Sequence, residues 1–128
     1  MVKPIRGTIY EDTGAILAAR VTNLAGVNIT QASLAAINYL VKDTTTGTTI
    51  ANGTLSIGAV VFDTLQTDSF WTTHQDGDST GYNFRYDSPK TWYPTGGRSY
   101  QIDIVFDPNM GEDFARQFII TTIPLDIS

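Results

Sequence analysis

The strongest structural signal in this 128-residue chain is the segment Gly96-Gly97-Arg98-Ser99-Tyr100-Gln101-Ile102-Asp103-Ile104-Val105-Phe106. From Tyr100 to Phe106, apolar side chains occupy every second position, and most of the positions between them are polar. Successive side chains of a β-strand point to opposite faces of a sheet, so this period of two predicts a strand with one apolar face. The two glycines that precede it predict a turn.

Similar signals lie on both sides of this segment. Further strands are predicted over residues 15–21, 37–41, 82–86 and 118–120. Turn-forming residues separate the predicted strands at 43–48, 51–53, 94–97 and 107–111. Short helical turns are predicted at residues 30–34 and 64–70.

About seven short strands, with a turn signal about every 8 to 15 residues, predict an all-β sandwich with one or two short helical turns. Tyr100 refines this prediction. In immunoglobulin-like sandwiches, a tyrosine in this position packs into the core and its hydroxyl bonds the backbone of the preceding corner. The alternative is that Tyr100 is simply the first core aromatic of its strand. We predict an immunoglobulin-like sandwich of antiparallel strands over residues 14–123, with Tyr100 as its structural corner.

Composition excludes several classes of function. The chain has no cysteine, which excludes disulfide scaffolds, thiol catalysis and cysteine-bound metals, and it has a single histidine, His74. Its formal net charge of −5 argues against binding to nucleic acids or anionic membranes. No apolar run approaches the roughly 18 residues of a membrane span, and the N-terminal residues show no secretory signal. We expect no cofactor.

The segment 76–87 has some features of a calcium-binding loop. Asp76, Asp78, Thr80 and Asp87 could supply oxygen ligands, and Gly81 stands where such loops have a glycine. However, residues 82–86 alternate as a strand, whereas a helix should follow such a loop. A loop rich in turn-forming residues, without bound metal, is the favoured interpretation.

We see no residue set that predicts catalysis. The acidic pairs Glu11-Asp12 and Glu112-Asp113 are adjacent in sequence, and adjacent strand residues point to opposite faces, so neither pair forms a catalytic dyad. His74 lies in a polar stretch typical of an exposed loop. No serine stands in a Gly-x-Ser-x-Gly motif, and there is no phosphate-binding loop. We therefore predict a protein that is not an enzyme.

Three aromatic residues, Trp71, Trp92 and Tyr93, stand beside polar residues in predicted loops or at strand ends. They could close the open ends of the sandwich, anchor a protein interface, or form a platform on which sugar rings stack. These alternatives remain open from the sequence, and we treat the three residues as candidates for an interface.

The two ends of the chain are the other candidate contact regions. Both contain a proline, which limits regular strand pairing, and both carry apolar residues, namely Val2, Ile5, Leu125 and Ile127. We predict contact segments at residues 1–13 and 124–128, held by neighbouring subunits.

The pattern of strands and turns resembles that of immunoglobulin-like domains in virion proteins of tailed phages. The resemblance lies in residues 37–43 followed by Thr46-Gly47, in Gly81-Tyr82-Asn83-Phe84, and in residues 97–102. Examples of such domains occur in baseplate upper proteins, head decoration proteins and neck proteins. The resemblance carries over no catalytic residue.

This resemblance implies a structural subunit of a virion, made in the host cytoplasm and built into the head, neck or tail. Its partners would be other virion subunits in a symmetric assembly with many copies. The alternative is a carbohydrate-binding module that uses Trp71, Trp92 and Tyr93 against a host glycan.

Overall fold

The computed structural model describes residues 4–68 and 81–125, which form an all-β sandwich of two sheets. The eight strands of the described residues are β1 (Ile5–Tyr10), β2 (Ala15–Ala19), β3 (Leu34–Asp43), β4 (Thr48–Thr54), β5 (Val61–Gln66), β6 (Tyr82–Ser88), β7 (Ser99–Pro108) and β8 (Phe114–Ile123). One short helix, α1 (Ile57–Val60), and two 3-10 turns, Gln31–Ser33 and Lys90–Trp92, complete the described elements. No helix in this part of the chain has the length and apolar character needed to cross a membrane.

The strand order is that of an immunoglobulin-like sandwich. The larger sheet has the order β1-β8-β7-β3-β4, and the smaller sheet has the order β2-β6-β5. If β2 is taken as strand B of that fold, the smaller sheet reads B-E-D and the larger sheet contains G-F-C-C′. Neighbouring strands are antiparallel except β1, which runs parallel to β8.

The core lies between the sheets, where the alternation seen in the sequence places the apolar side chains. Ile102, Ile104 and Phe106 of β7 are fully buried, in agreement with the prediction for residues 100–106. The ring of Phe84 from the opposite sheet meets Phe106 edge to face, with 5.5 Å between ring centroids. Asn83 is also buried. Its side-chain amide is satisfied there, because its oxygen accepts the N–H of Val21 and its NH₂ group donates to the carbonyl of Val21.

Several predicted turns are confirmed. The segment 43–48 joins β3 to β4, and the segment 107–111 lies at the hairpin between β7 and β8. The helical turn predicted at 30–34 is the 3-10 turn Gln31–Ser33, where the backbone N–H of Thr30 donates to the hydroxyl of Ser33.

Two local predictions are wrong. Residues 51–53 are not a turn but the middle of β4, where Ala51, Asn52 and Gly53 pair with β3. Residues 64–66 of the predicted helical turn at 64–70 form the end of β5, and the helix forms earlier, at Ile57–Val60. In α1 the backbone N–H of Ala59 donates to the carbonyl of Ser56, and Val60 is buried.

A third correction concerns the N-terminal segment. The prediction places the sandwich at residues 14–123, but residues 5–10 also belong to it. They form β1, whose residues are alternately half-buried and exposed, and which pairs with β8 from Ile5↔Phe118 to Tyr10↔Ile123. Pro4 stands before the first paired residue, so it does not interrupt the ladder. The larger sheet therefore extends into the predicted contact segment 1–13 through residues 5–10.

Candidate interaction surface

Tyr100 forms the corner that the sequence predicts. Its ring is fully buried at the start of β7. Its hydroxyl donates to the carbonyl of Thr95 (3.2 Å) and accepts from the N–H of the same residue (3.1 Å). Thr95 lies in the connection between β6 and β7, which is where immunoglobulin-like domains place this contact. Tyr100 therefore has a structural role inside the domain.

Trp92 and Tyr93 are buried, which corrects their assignment to an interface. Trp92 packs between the rings of Tyr39 and Tyr86, at centroid distances of 4.8 and 5.4 Å. The Tyr93 hydroxyl shares a hydrogen bond of 2.7 Å with Ser88, and burial raises the pKa of the Tyr93 phenol above its ordinary value. The pair closes the sandwich beside the corner and presents no aromatic platform to a partner or a sugar.

Several other candidate residues lie outside the described part of the chain: Val2, Trp71, His74, Asp76, Asp78, Thr80 and Ile127. Of the suggested calcium ligands, Asp87 is described. It lies exposed on β6 and forms an ion pair with Arg85 (3.0 Å). Within residues 4–68 and 81–125, no three acidic or histidine side chains are grouped so that they could hold a metal ion.

Ile5 and Leu125 contact their own domain. Ile5 is half-buried against the core, and the N–H of Leu125 donates to the Glu11 carboxylate (2.8 Å). The other oxygen of that carboxylate accepts the N–H of Gly96 (3.0 Å). The domain itself therefore holds both residues in part, contrary to the expectation that its own core does not hold them, and their contact with neighbouring subunits stays a prediction. Glu11 joins the end of β1 to the corner and to the C-terminal segment.

A hairpin tip lies at the opposite end of the sandwich. We define the hairpin tip as residues 22–28, which are closed at the base by a β-bridge between Thr22 and Asn28. The Asn23 carboxamide oxygen accepts the N–H groups of Ala25 and Val27, at 2.9 and 3.0 Å. These bonds satisfy the backbone of the turn internally, so its conformation does not depend on a partner.

Beside the hairpin tip lies an apolar depression, which we call the end groove. It has a volume of about 310 Å³, and its apolar lining consists of Ile29, Ala32, Leu34, Pro108, Met110 and Phe114. Asn109 fixes the two walls to each other. Its side-chain amide donates to the carbonyl of Ala32 (2.7 Å), and its backbone N–H donates to the carbonyl of Ser33 (3.0 Å). The groove is therefore preformed in the isolated domain.

The most exposed large apolar side chains of the described residues all lie at this end. Met110, in the turn between β7 and β8, is 89% exposed, and Leu24 and Val27 of the hairpin tip are 71% and 60% exposed. Single exposed apolar residues are common on protein surfaces, but grouped ones beside an apolar groove are typical of contact sites. The end groove and hairpin tip together form the candidate interaction surface.

Carboxylates border this surface on the side of the β7–β8 turn. Partial desolvation of its exposed carboxyl group, the negative charges of Asp107 and Glu112, and a hydrogen bond with Asp107 raise the pKa of Asp113 above its ordinary value. The charges of Asp107 and Glu112 contribute to this rise, since a nearby like charge favours the protonated form of a carboxyl group. The groove thus combines an apolar floor with an acidic border.

A larger cleft of about 540 Å³ lies between α1 and β6, and it is less suited to a contact. Its lining includes Arg85 and Asp87, which form an ion pair with each other. It also includes the polar residues Thr54 and Ser56, and α1 itself is only four residues long. None of the three most exposed apolar side chains lines this cleft.

The sequence itself holds a signal for this surface. Leu24 and Val27 stand within Asn23-Leu24-Ala25-Gly26-Val27-Asn28, a segment whose asparagines and glycine predict a turn. Gly26 has a φ of 82°, a conformation that favours glycine. Large apolar residues in a tight surface turn have little opportunity to reach the core, so their presence points to another contact.

Comparisons with known proteins add no family assignment. The chain matches no model of a known protein family, and its sequence matches no curated protein.

Proposed function

We propose that this chain is a non-enzymatic structural subunit that acts through protein–protein contacts, and that the end groove with the hairpin tip is its contact surface. The observation that carries the proposal is the position of Leu24, Val27 and Met110, the three most exposed large apolar side chains of the described residues, at one end of the sandwich. Burying each of them against a partner would contribute about 1.5–3 kcal/mol before the cost of ordering.

The assembly that we propose is the virion of a tailed phage, with many copies in a symmetric arrangement. The support for it is the resemblance of the strand-and-turn pattern to immunoglobulin-like virion domains, together with a sandwich whose strand order fits that class. The chain would be synthesised in the host cytoplasm and would act in the particle. The formal net charge of −5 favours protein partners over nucleic acid.

The sugar-binding alternative has lost most of its support. It requires exposed aromatic rings, and two of the three rings it relied on, Trp92 and Tyr93, are buried. Trp71 lies outside the described residues and cannot by itself supply a platform of several rings.

The test uses virions of the phage that encodes the chain, purified by density gradient and quantified by mass spectrometry. Particles with the wild-type chain should contain it in many copies. The triple variant Leu24→Ser, Val27→Ser, Met110→Ser should fold, because all three side chains are exposed, but should be strongly depleted from particles. An interface that loses about 2 kcal/mol or more binds more than about tenfold more weakly.

The matched control replaces three exposed apolar residues elsewhere, Tyr10, Ile16 and Ile123, with serine. We expect this control to enter particles as the wild-type chain does. Absence of the wild-type chain from purified virions would refute the virion assignment. Normal incorporation of the triple variant would refute the contact surface.

A further inference from the structure

We infer that the end groove accepts an apolar side chain from a partner segment whose flanking residues are lysine or arginine. This inference rests on the proposed function, because it specifies the partner of the same surface. It follows from the groove's size, its fixed shape and the charge at its border.

The size of the groove fits side chains rather than a cofactor. Its volume of about 310 Å³ is at the lower end of the range of about 300–1,000 Å³ that small-molecule sites occupy. Its floor is apolar, with Ile29, Leu34 and Phe114 on it, and the amide groups of Asn109 are used in bonds to the neighbouring loop. Such a site offers contact area to an aliphatic or aromatic anchor and few polar groups to orient a small molecule.

The fixed shape of the groove favours a partner that inserts a side chain into it. It does not favour a partner whose binding requires the loops of the groove to fold. The bonds from Asn109 to Ala32 and Ser33 connect its two walls, and Asn23 holds the hairpin tip. A partner that inserts a side chain therefore encounters a surface that is already organised, and binding does not have to order these loops.

The border supplies the selectivity. Asp107 precedes the groove residue Pro108, and Glu112 and Asp113 directly precede the groove residue Phe114, so three carboxylates stand next to the groove in and beside the β7–β8 turn. A cation brought beside them is attracted by this negative charge. The described cations near this end of the sandwich are Arg20, whose guanidinium donates to the Asn28 side chain (3.3 Å), and Arg116, which follows Phe114 by two residues on β8. The three carboxylates outnumber them. The complementary partner carries positive charge next to its apolar anchor, whereas a partner with acidic flanks is repelled.

Three synthetic peptides test this inference against the full-length chain. They share a Leu-Met-Leu centre and differ in flanks of two lysines, two serines or two glutamates at each end. Binding is followed by amide chemical shifts of the ¹⁵N-labelled protein at about 50 mM salt, where surface charges are weakly screened. We expect the lysine peptide to bind about tenfold more tightly than the glutamate peptide, with shifts at Asn23, Val27, Met110 and Phe114.

Variants separate the two parts of the site. The double variant Glu112→Gln, Asp113→Asn leaves only Asp107 charged, so it should remove most of the preference for lysine flanks and keep binding of the serine peptide. Asp12→Asn, which removes an exposed carboxylate at the opposite end of the sandwich, is the charge control and should leave the preference unchanged.

The outcomes distinguish this inference from the proposed function. Shifts at the groove with equal affinity for all three peptides would overturn the charge preference and leave the contact surface standing. No shifts at the groove with any peptide, or shifts confined to another surface, would overturn the contact surface and this inference with it.

Discussion

Replacing Tyr100 with phenylalanine removes one hydroxyl from the corner and leaves the buried ring in place. In the native structure this hydroxyl makes two hydrogen bonds, both to the backbone of Thr95. The carbonyl of Thr95 keeps a partner in the variant, because it also accepts the hydroxyl of Thr122 (2.7 Å). The substitution therefore leaves one N–H group, that of Thr95, to be satisfied by water.

The expected loss of unfolding free energy in Tyr100→Phe follows from this count of hydrogen bonds. A typical hydrogen bond contributes about 0.5–1.5 kcal/mol, and a fully buried donor that loses its partner costs about 1–3 kcal/mol. The bonds to Thr95 are only partly buried, so water can reach the N–H group and the lower range applies. We expect a loss of about 1 kcal/mol, which corresponds to a decrease of about 3–6 °C in Tm for a domain of this size.

Urea unfolding followed by tryptophan fluorescence measures this loss as a change in midpoint at constant slope. Tyr10→Phe is the matched control, because the Tyr10 side chain is more than half exposed on β1, and it should unfold like the wild-type chain. Equal midpoints for the Tyr100→Phe variant and the wild-type chain would refute the stabilising role of the corner.

Two further measurements test packing and charge. Gly96→Ala would place a Cβ atom 2.5 Å from the Cα atom of Pro124, so we expect a loss of about 1–3 kcal/mol in unfolding free energy, whereas Gly58→Ala, which enters open space, should cost nothing. Burial raises the pKa of Asp43, but its bonds from Arg98 and from the backbone outweigh this and hold the pKa below 3.8. The contribution of Asp43 to the free energy of unfolding is therefore complete above about pH 5, and it is lost as pH falls through that lowered pKa. Unfolding curves at a series of pH values should show that the stability of Arg98→Met falls less at acid pH than that of the wild-type chain. An equal fall in both proteins would contradict this role of Arg98.

The alternating segments were the most predictable part of the fold. In β7 the polar and apolar positions differ clearly, and burial follows them residue by residue. The first strand was missed because Ile5 and Ile9 are separated by a glycine at position 7, which lowers strand propensity, and because its pairing partner is at the other end of the chain. Pairing between distant segments is a property of the whole sheet, and local patterns carry little information about it.

The candidate site was less predictable, for a related reason. Trp92 and Tyr93 have exposed neighbours on both sides, including Lys90 and Pro94, which suggests a surface loop. Both are nevertheless buried, because the 3-10 turn Lys90–Trp92 and the irregular backbone at Tyr93 direct the two rings inward. Such a backbone has no regular period, so no pattern of residue types could reveal it. The end groove depends similarly on loops that are about 80 residues apart in sequence.

The parallel pairing of the first and last strands determines how the domain carries mechanical load. The chain enters β1 at Ile5, beside Phe118, and leaves β8 at Ile123, beside Tyr10, so the entry and exit points lie at opposite ends of one ladder. A force that pulls Pro4 and Leu125 apart acts along the strands and loads the bonds of this ladder together, in shear. Rupture then requires the ladder to yield as a unit, whereas force across a strand end would open it bond by bond. Resistance to pulling is set by the barrier to unfolding rather than by equilibrium stability, so a domain of modest thermal stability can still transmit tension.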